Sequence, residues 1–109
     1  MAYDEGLATR LQELFGDDDR ITQRKMFGGL ALMFQGNMFV GVIGDELMVR
    51  VGKENHAAAL AEPHAREMDF TGKSLGGYVY VAAEGIAEDE ELQRWCDRAL
   101  VFARRLPAK

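Results

Sequence analysis

Apolar residues recur at helical spacing near both ends of the chain. The first stripe predicts a helix over about Asp4–Phe15 and consists of Leu7, Ala8, Leu11, Leu14 and Phe15. The second stripe predicts a longer helix that starts near Glu88 and stops at Pro107; it consists of Leu92, Trp95, Cys96, Ala99, Phe102, Ala103 and Leu106. An alanine-rich segment over Lys53–Ala61 predicts a short helix between them, which Pro63 ends.

Between the helices, the apolar residues follow the shorter period of β-strands. The predicted strands are Ile21–Phe27, Leu30–Gln35, Met38–Ile43, Leu47–Val51, Glu67–Phe70 and Gly77–Val81. Gly36-Asn37 and Gly44-Asp45 separate three of them and predict two-residue type II′ turns. The Gly28-Gly29 pair predicts a bulge or a tight corner. Ile21 to Val51 is thus predicted to form a meander.

The register of this meander stays open. With two residues in each turn, both faces of the sheet are substantially apolar; one face carries Leu30, Leu32, Phe34, Phe39, Ile43, Glu46, Met48 and Arg50. If one loop is effectively three residues long, the side chains beyond it change faces. One continuous apolar face then forms, and Met48 and Arg50 fall on the other. Burial favours the second arrangement, and turn chemistry favours the first.

Charge and length limit the classes of function. The chain has 109 residues, which fits one domain over residues 1–109, and a net charge of −5. This acidic balance argues against nucleic-acid binding, because such binding depends on clustered Lys and Arg. No signal peptide and no membrane-spanning run is visible, so we expect a cytoplasmic protein without a membrane partner.

Several motifs along the chain together resemble a known family. They are Arg24-Lys25-Met26-Phe27-Gly28-Gly29, Gly36, Phe39, Leu47, Val49-Arg50-Val51, Gly77-Tyr78-Val79 and the set Leu92, Trp95, Ala99 and Leu100. In this order they resemble the N-terminal domain of the TfoX/Sxy competence-regulator family. The resemblance implies an α+β fold, a two-layer sandwich whose antiparallel sheet carries helices on one face, similar to secretion-chaperone-like domains.

The same resemblance limits what can be transferred. Full-length competence regulators of this family continue into a C-terminal helical domain, whereas this chain ends at Lys109 and resembles the stand-alone, single-domain members. The competence role is therefore not carried over. The family pattern supplies no catalytic residue that matches a position in this chain.

The residues themselves predict no catalytic site, no metal site and no cofactor. His56 and His64 are the only histidines and lack zinc-type spacing. Cys96 lies beside Trp95 on a predicted buried stripe, where a small apolar role is expected. We therefore predict a non-enzymatic interaction or regulatory domain.

The predicted partner is a protein, either another chain or a second copy in a homodimer. Helices can cover only one face of the sheet, so some large apolar side chains stay on the other. The candidates for this interaction surface are Met33, Phe34, Phe39 and Met48.

An alternative is a small anion-binding, ligand-binding or enzymatic domain. This alternative uses the Met26–Gly29 corner, with the backbone at Gly28 and Gly29 near the ligand, and cations from Arg24, Lys25 and Arg50. A deep pocket walled by the three cations would favour it, and a flat sheet face would favour an interaction domain.

Overall fold

The computed structural model describes residues 3–26, 28–70 and 73–108. Within them lie three α-helices, two short 3₁₀ turns and six strands. The helices are α1 (Glu5–Phe15), α2 (His56–Leu60) and α3 (Asp89–Ala103), and the 3₁₀ turns are Lys53–Asn55 and Ala83–Ile86. The strands are β1 (Ile21–Met26), β2 (Gly29–Phe34), β3 (Asn37–Ile43), β4 (Glu46–Arg50), β5 (Ala65–Phe70) and β6 (Lys73–Val81).

The helices form where the apolar stripes predicted them. The carboxylate of Asp4 caps α1 and accepts hydrogen bonds from the backbone N–H groups of Gly6, at 2.8 Å, and Leu7, at 3.4 Å. Helix α3 begins with three acidic residues in its first turn, where the helix dipole favours negative charge. Its buried side includes Trp95 and Cys96, as the stripe predicted. The segment predicted as one short helix divides into a 3₁₀ turn and α2.

All six strands join one sheet in the order β1-β2-β3-β4-β6-β5, and every neighbouring pair is antiparallel. The meander of four strands was predicted, but the strand order beyond it was not. Strand β6 returns to pair with β4, so β5 becomes the edge strand. Strands β5 and β6 are longer than predicted. Strand β6 begins at Lys73, four residues before the predicted start at Gly77.

A β-bulge decides the register of the meander. Leu32 pairs with Val40 and Met33 with Met38, which leaves Phe39 as the extra residue on β3. Phe39 and Val40 therefore both contribute to the main core. This gives the arrangement with one continuous apolar face, although a bulge produces it and not a longer loop.

The turns at the two ends of β3 differ. Gly44 has φ +60° between Ile43 and Glu46, which fits the predicted position of the Gly44-Asp45 turn. At the other end the prediction was wrong by one residue, because the turn consists of Gln35 and Gly36. Both have positive φ, 50° and 87°, as a type I′ turn requires. Asn37 is thereby freed to start β3.

The core lies between the helices and one face of the sheet. Buried residues of all three helices join the strand residues of that face in a single cluster, which includes Leu11, Phe39, Val49, Ala59 and Trp95. Phe15 of α1 packs edge-on against the bulge residue Phe39, with ring centroids 5.5 Å apart. The predicted α+β sandwich with helices on one face is confirmed.

Candidate interaction surface and a cation-lined cavity

The other face of the sheet, here called the open face, carries a second apolar cluster. Met48 and Tyr80 form its centre, and Met38, Ile43 and Tyr78 pack around them. No described helix residue belongs to this cluster. Met48 is only 1% exposed and Tyr80 7%, so neighbouring side chains, and not a helix, shield them. The surrounding three side chains are half-buried.

An arginine crosses part of the open face. The guanidinium of Arg66, on edge strand β5, lies 4.5 Å from the ring centroid of Tyr80. The same guanidinium contacts Glu46 on β4, and its Nε donates to Glu46 Oε2 at 3.2 Å. Because this bridge spans β5, β6 and β4, it contributes to the low exposure of Tyr80.

The predicted interaction residues separate between the two faces. Met33 is half-buried and Met48 is buried, and both lie on the open face. Phe34 and Phe39 were wrongly placed there, since they are 4% and 0% exposed within the main core. The bulge is the physical reason for the core position of Phe39.

The predicted anion-binding residues do not converge. Arg24 and Lys25 are exposed on edge strand β1, with side chains directed to opposite faces. Gly28 has φ +74°, a backbone conformation that favours glycine. A Cβ at Gly29 would lie 2.1 Å from the carbonyl oxygen of Val42, so that position has no room for a side chain. Arg50 lies on β4, three strands from Arg24, about 14 Å at ordinary strand spacing.

Arg50 instead lines a separate cavity of about 460 Å³ at the end of β4, together with two cations that the sequence did not suggest, Lys53 and Arg105. Its guanidinium lies 5.6 Å from the ring centroid of Tyr78 and 5.2 Å from that of Phe102. Its Nη1 donates to the carbonyl oxygen of Met38 at 3.3 Å. The cavity therefore combines positive charge with aromatic walls.

The remaining candidate groups are Cys96 and the two histidines. Burial, and then the charge of Asp97, raise the pKa of Cys96 to about 12, so the thiol stays protonated at neutral pH. His64 is exposed and His56 half-buried. Across the described parts of the chain, no three His, Cys, Asp or Glu side chains are grouped to hold a metal ion.

Sequence reasoning missed most of the open face. Tyr78 and Tyr80 alternate with the core residues Val79 and Val81, and this period-two pattern was the available signal. No comparable signal linked Arg50 to Arg105, because the two residues are far apart in sequence and come to line one cavity only in the folded chain.

The fold and the surface define a class of protein. It is an α+β domain with one helix-covered and one open sheet face, and no described helix is both long and apolar enough to span a bilayer. The family model of the TfoX N-terminal domain matches residues 13–103, so the chain belongs to that family, as the resemblance of its motifs implied. No curated protein and no solved structure matches the chain.

Proposed function

We propose that this TfoX-family domain is a non-enzymatic regulatory module that acts by binding a protein through its open sheet face. Membership of the family supports a regulatory domain in general terms. The observation that carries the interaction role is the second apolar cluster around Met48 and Tyr80, which no described helix covers. The half-buried side chains around this centre, Met38, Ile43 and Tyr78, leave apolar surface for a partner, and contiguous apolar surface commonly marks an interface.

The composition of the open face supports an adaptable contact. Three methionines, Met33, Met38 and Met48, lie on adjacent strands of this face. Methionine has flexible, polarisable side chains, which allows a surface to adjust to the shape of its partner. Two of them, Met33 and Met38, are half-buried and so retain surface for a contact.

The partner we propose is a second copy of the chain, placed face to face about a two-fold axis. Two-fold dimers are the commonest closed assemblies, and such an axis brings the same patch of both copies together. The rim of the open face contains both signs of charge, Glu46 together with Arg24 and Arg66. A face with mixed charge can be complementary to itself, whereas a face of one sign would repel its copy.

Sedimentation of the full chain over a wide micromolar range tests this proposal. We expect a reversible shift towards twice the monomer mass of 12.2 kDa as concentration rises. Met33→Asp should keep the fold and prevent the shift, since it places a charge in the proposed interface.

Leu14→Asp is the matched control for this experiment. Leu14 is also apolar and 38% exposed, but it lies on α1, on the helix side of the molecule. The control should associate like the parent. A parent chain that stays monomeric throughout, or a dimer that both substitutions weaken equally, would contradict the proposed interface.

A further inference from the structure

The cavity beside Arg50 has the composition of an anion site. Its walls come from the chain after β4, from β6 near Tyr78, from the end of α3 at Phe102, and from Arg105 in the segment after α3. Arg50, Lys53 and Arg105 line it, against one carboxylate, that of Glu54. This local excess of positive charge occurs in a chain with a net charge of −5.

Arg50 differs from the other half-buried arginines. Arg10 pairs with Asp89 at 3.1 Å, and Arg98 pairs with Glu62 at 3.0 Å. Arg50 makes no ion pair with any described carboxylate, and its described polar contact is the carbonyl oxygen of Met38. A guanidinium has five N–H donors and gains most from a charged acceptor, so most of its capacity remains available.

The other two cations are also weakly engaged. Arg105 lies 3.9 Å from Glu54, the limit of an ion pair, and the Glu54 side chain is 88% exposed. Such a contact is screened by water and contributes little. Lys53 is exposed and can turn its ammonium group towards a bound anion.

Glycines shape the cavity where these elements meet. Gly52 has φ +86°, and a Cβ there would lie 2.5 Å from the ring of Phe102. Gly77 has φ +89°, and its Cβ would approach the backbone of Gly52 and Lys53 at 3.1 Å. Two constrained glycines thus permit a close approach of the two chain segments, and Gly76 beside them adds no side chain to the opening.

We propose that this cavity binds a small molecule carrying a phosphate group. Its volume of about 460 Å³ is typical of small-molecule sites. A phosphate monoester carries a charge of about −2, which matches the three cations and the carboxylate of Glu54 taken together, and it can accept paired hydrogen bonds from a guanidinium. Tyr78 and Phe102 offer an apolar wall for the organic part of the ligand. The site shares Tyr78 with the apolar cluster of the open face, but its cations Lys53 and Arg105 lie outside that cluster.

Titration with phenyl phosphate, followed by amide NMR at constant ionic strength, tests the proposal. We expect saturable shifts at Gly52, Gly76 and Gly77. Lys53→Gln and Arg105→Gln should each weaken binding by about tenfold, because each removes one charge-assisted contact. Lys25→Gln is the matched control for Lys53→Gln, since Lys25 is exposed on β1 and does not line the cavity, and it should bind like the parent.

Three outcomes would overturn the assignment. Equal binding of benzoate would remove the preference for phosphate. Shifts that spread over exposed lysines and arginines outside the cavity, with Lys25→Gln as damaging as Lys53→Gln, would indicate nonspecific charge attraction. Tighter binding of a phosphoserine peptide than of phenyl phosphate would assign the cavity to a phosphorylated protein. None of these outcomes changes the sedimentation behaviour that tests the proposed function.

Discussion

The two faces of the same sheet bury their side chains by different means. On the helix-covered face, residues of α1, α2 and α3 complete the core, and Phe39, Val40 and Trp95 are at most 1% exposed. On the open face, Met48 is equally buried, yet the side chains that cover it belong to neighbouring strands of the sheet, such as Tyr78 on β6. Burial alone therefore does not distinguish the two faces.

Because of this difference, substitutions on the two faces should have different effects. The helix-covered face is closed by elements of the chain itself, so substitutions there should mainly affect folding. The open face keeps half-buried side chains around a small buried centre, so substitutions at its periphery can alter contacts with another molecule while the fold persists. The predictions below test this distinction by comparing residues across and within the faces.

The largest effect is expected at the centre of the helix-covered face. Trp95→Ala should lower the free energy of unfolding by about 3–5 kcal/mol, because it removes a fully buried indole from the contact of α3 with the sheet. Urea denaturation measures the change. Val101→Ala on the same helix is the control, since Val101 is 50% exposed, and it should change stability by about 0.5 kcal/mol or less. Similar losses for both variants would contradict this assignment of the buried side.

Met48→Ala tests the centre of the open face. We expect a loss of about 2 kcal/mol, the lower end of the range for buried methionine. No described helix residue belongs to this cluster, so the neighbouring side chains can close part of the space that the substitution leaves. The same urea experiment measures it. A loss as large as that of Trp95→Ala would show that the open face is as rigidly packed as the other.

The sequence was sufficient to predict what depends on local periodicity. The stripe with Trp95 and Cys96 marked the buried side of α3, and Asp4 marked the start of α1, because a helix repeats its environment every few residues. The strands of the meander were predicted from the period of two that alternating side chains give a strand. Their register was not, since the bulge at Phe39 depends on packing against Phe15, which is distant in sequence.

The candidate sites were harder to predict than the fold. The alternative anion site grouped Arg24 and Lys25 with Arg50 because all three belong to one stretch of sequence. The strand order places Arg50 on β4, three strands away from the other two on β1. Arg50, at the end of β4, and Arg105, in the segment after α3, line the same cavity although they are far apart in sequence. Such a long-range neighbourhood leaves no periodic signal in one sequence.

A smaller effect is expected at Asn37, the one buried polar residue found on the helix-covered face of the described structure. Its Nδ2 donates to the carbonyl oxygen of Pro107 at 2.9 Å and so ties the β2–β3 turn to the segment after α3. Asn37→Ala should cost about 1 kcal/mol, because the carbonyl oxygen of Pro107 loses its donor but, at an exposed residue, can accept from water instead. Asn37→Asp should cost more, since it places a carboxylate against the same carbonyl. Equal stability of the parent and the Asp variant in urea would contradict this role.

The smallest effect is expected at Met33, at the periphery of the open face. In dilute solution Met33→Ala should change the free energy of unfolding by about 0.5 kcal/mol or less, because the side chain is half-buried and no described helix packs on it. If the open face binds a second copy, assembly stabilises the parent by mass action, and the difference between parent and variant grows with concentration. Thermal melts at several concentrations measure both quantities. A dilute-solution loss equal to that of Met48→Ala would place Met33 in a closed core, and the open face would then have no free periphery for a partner.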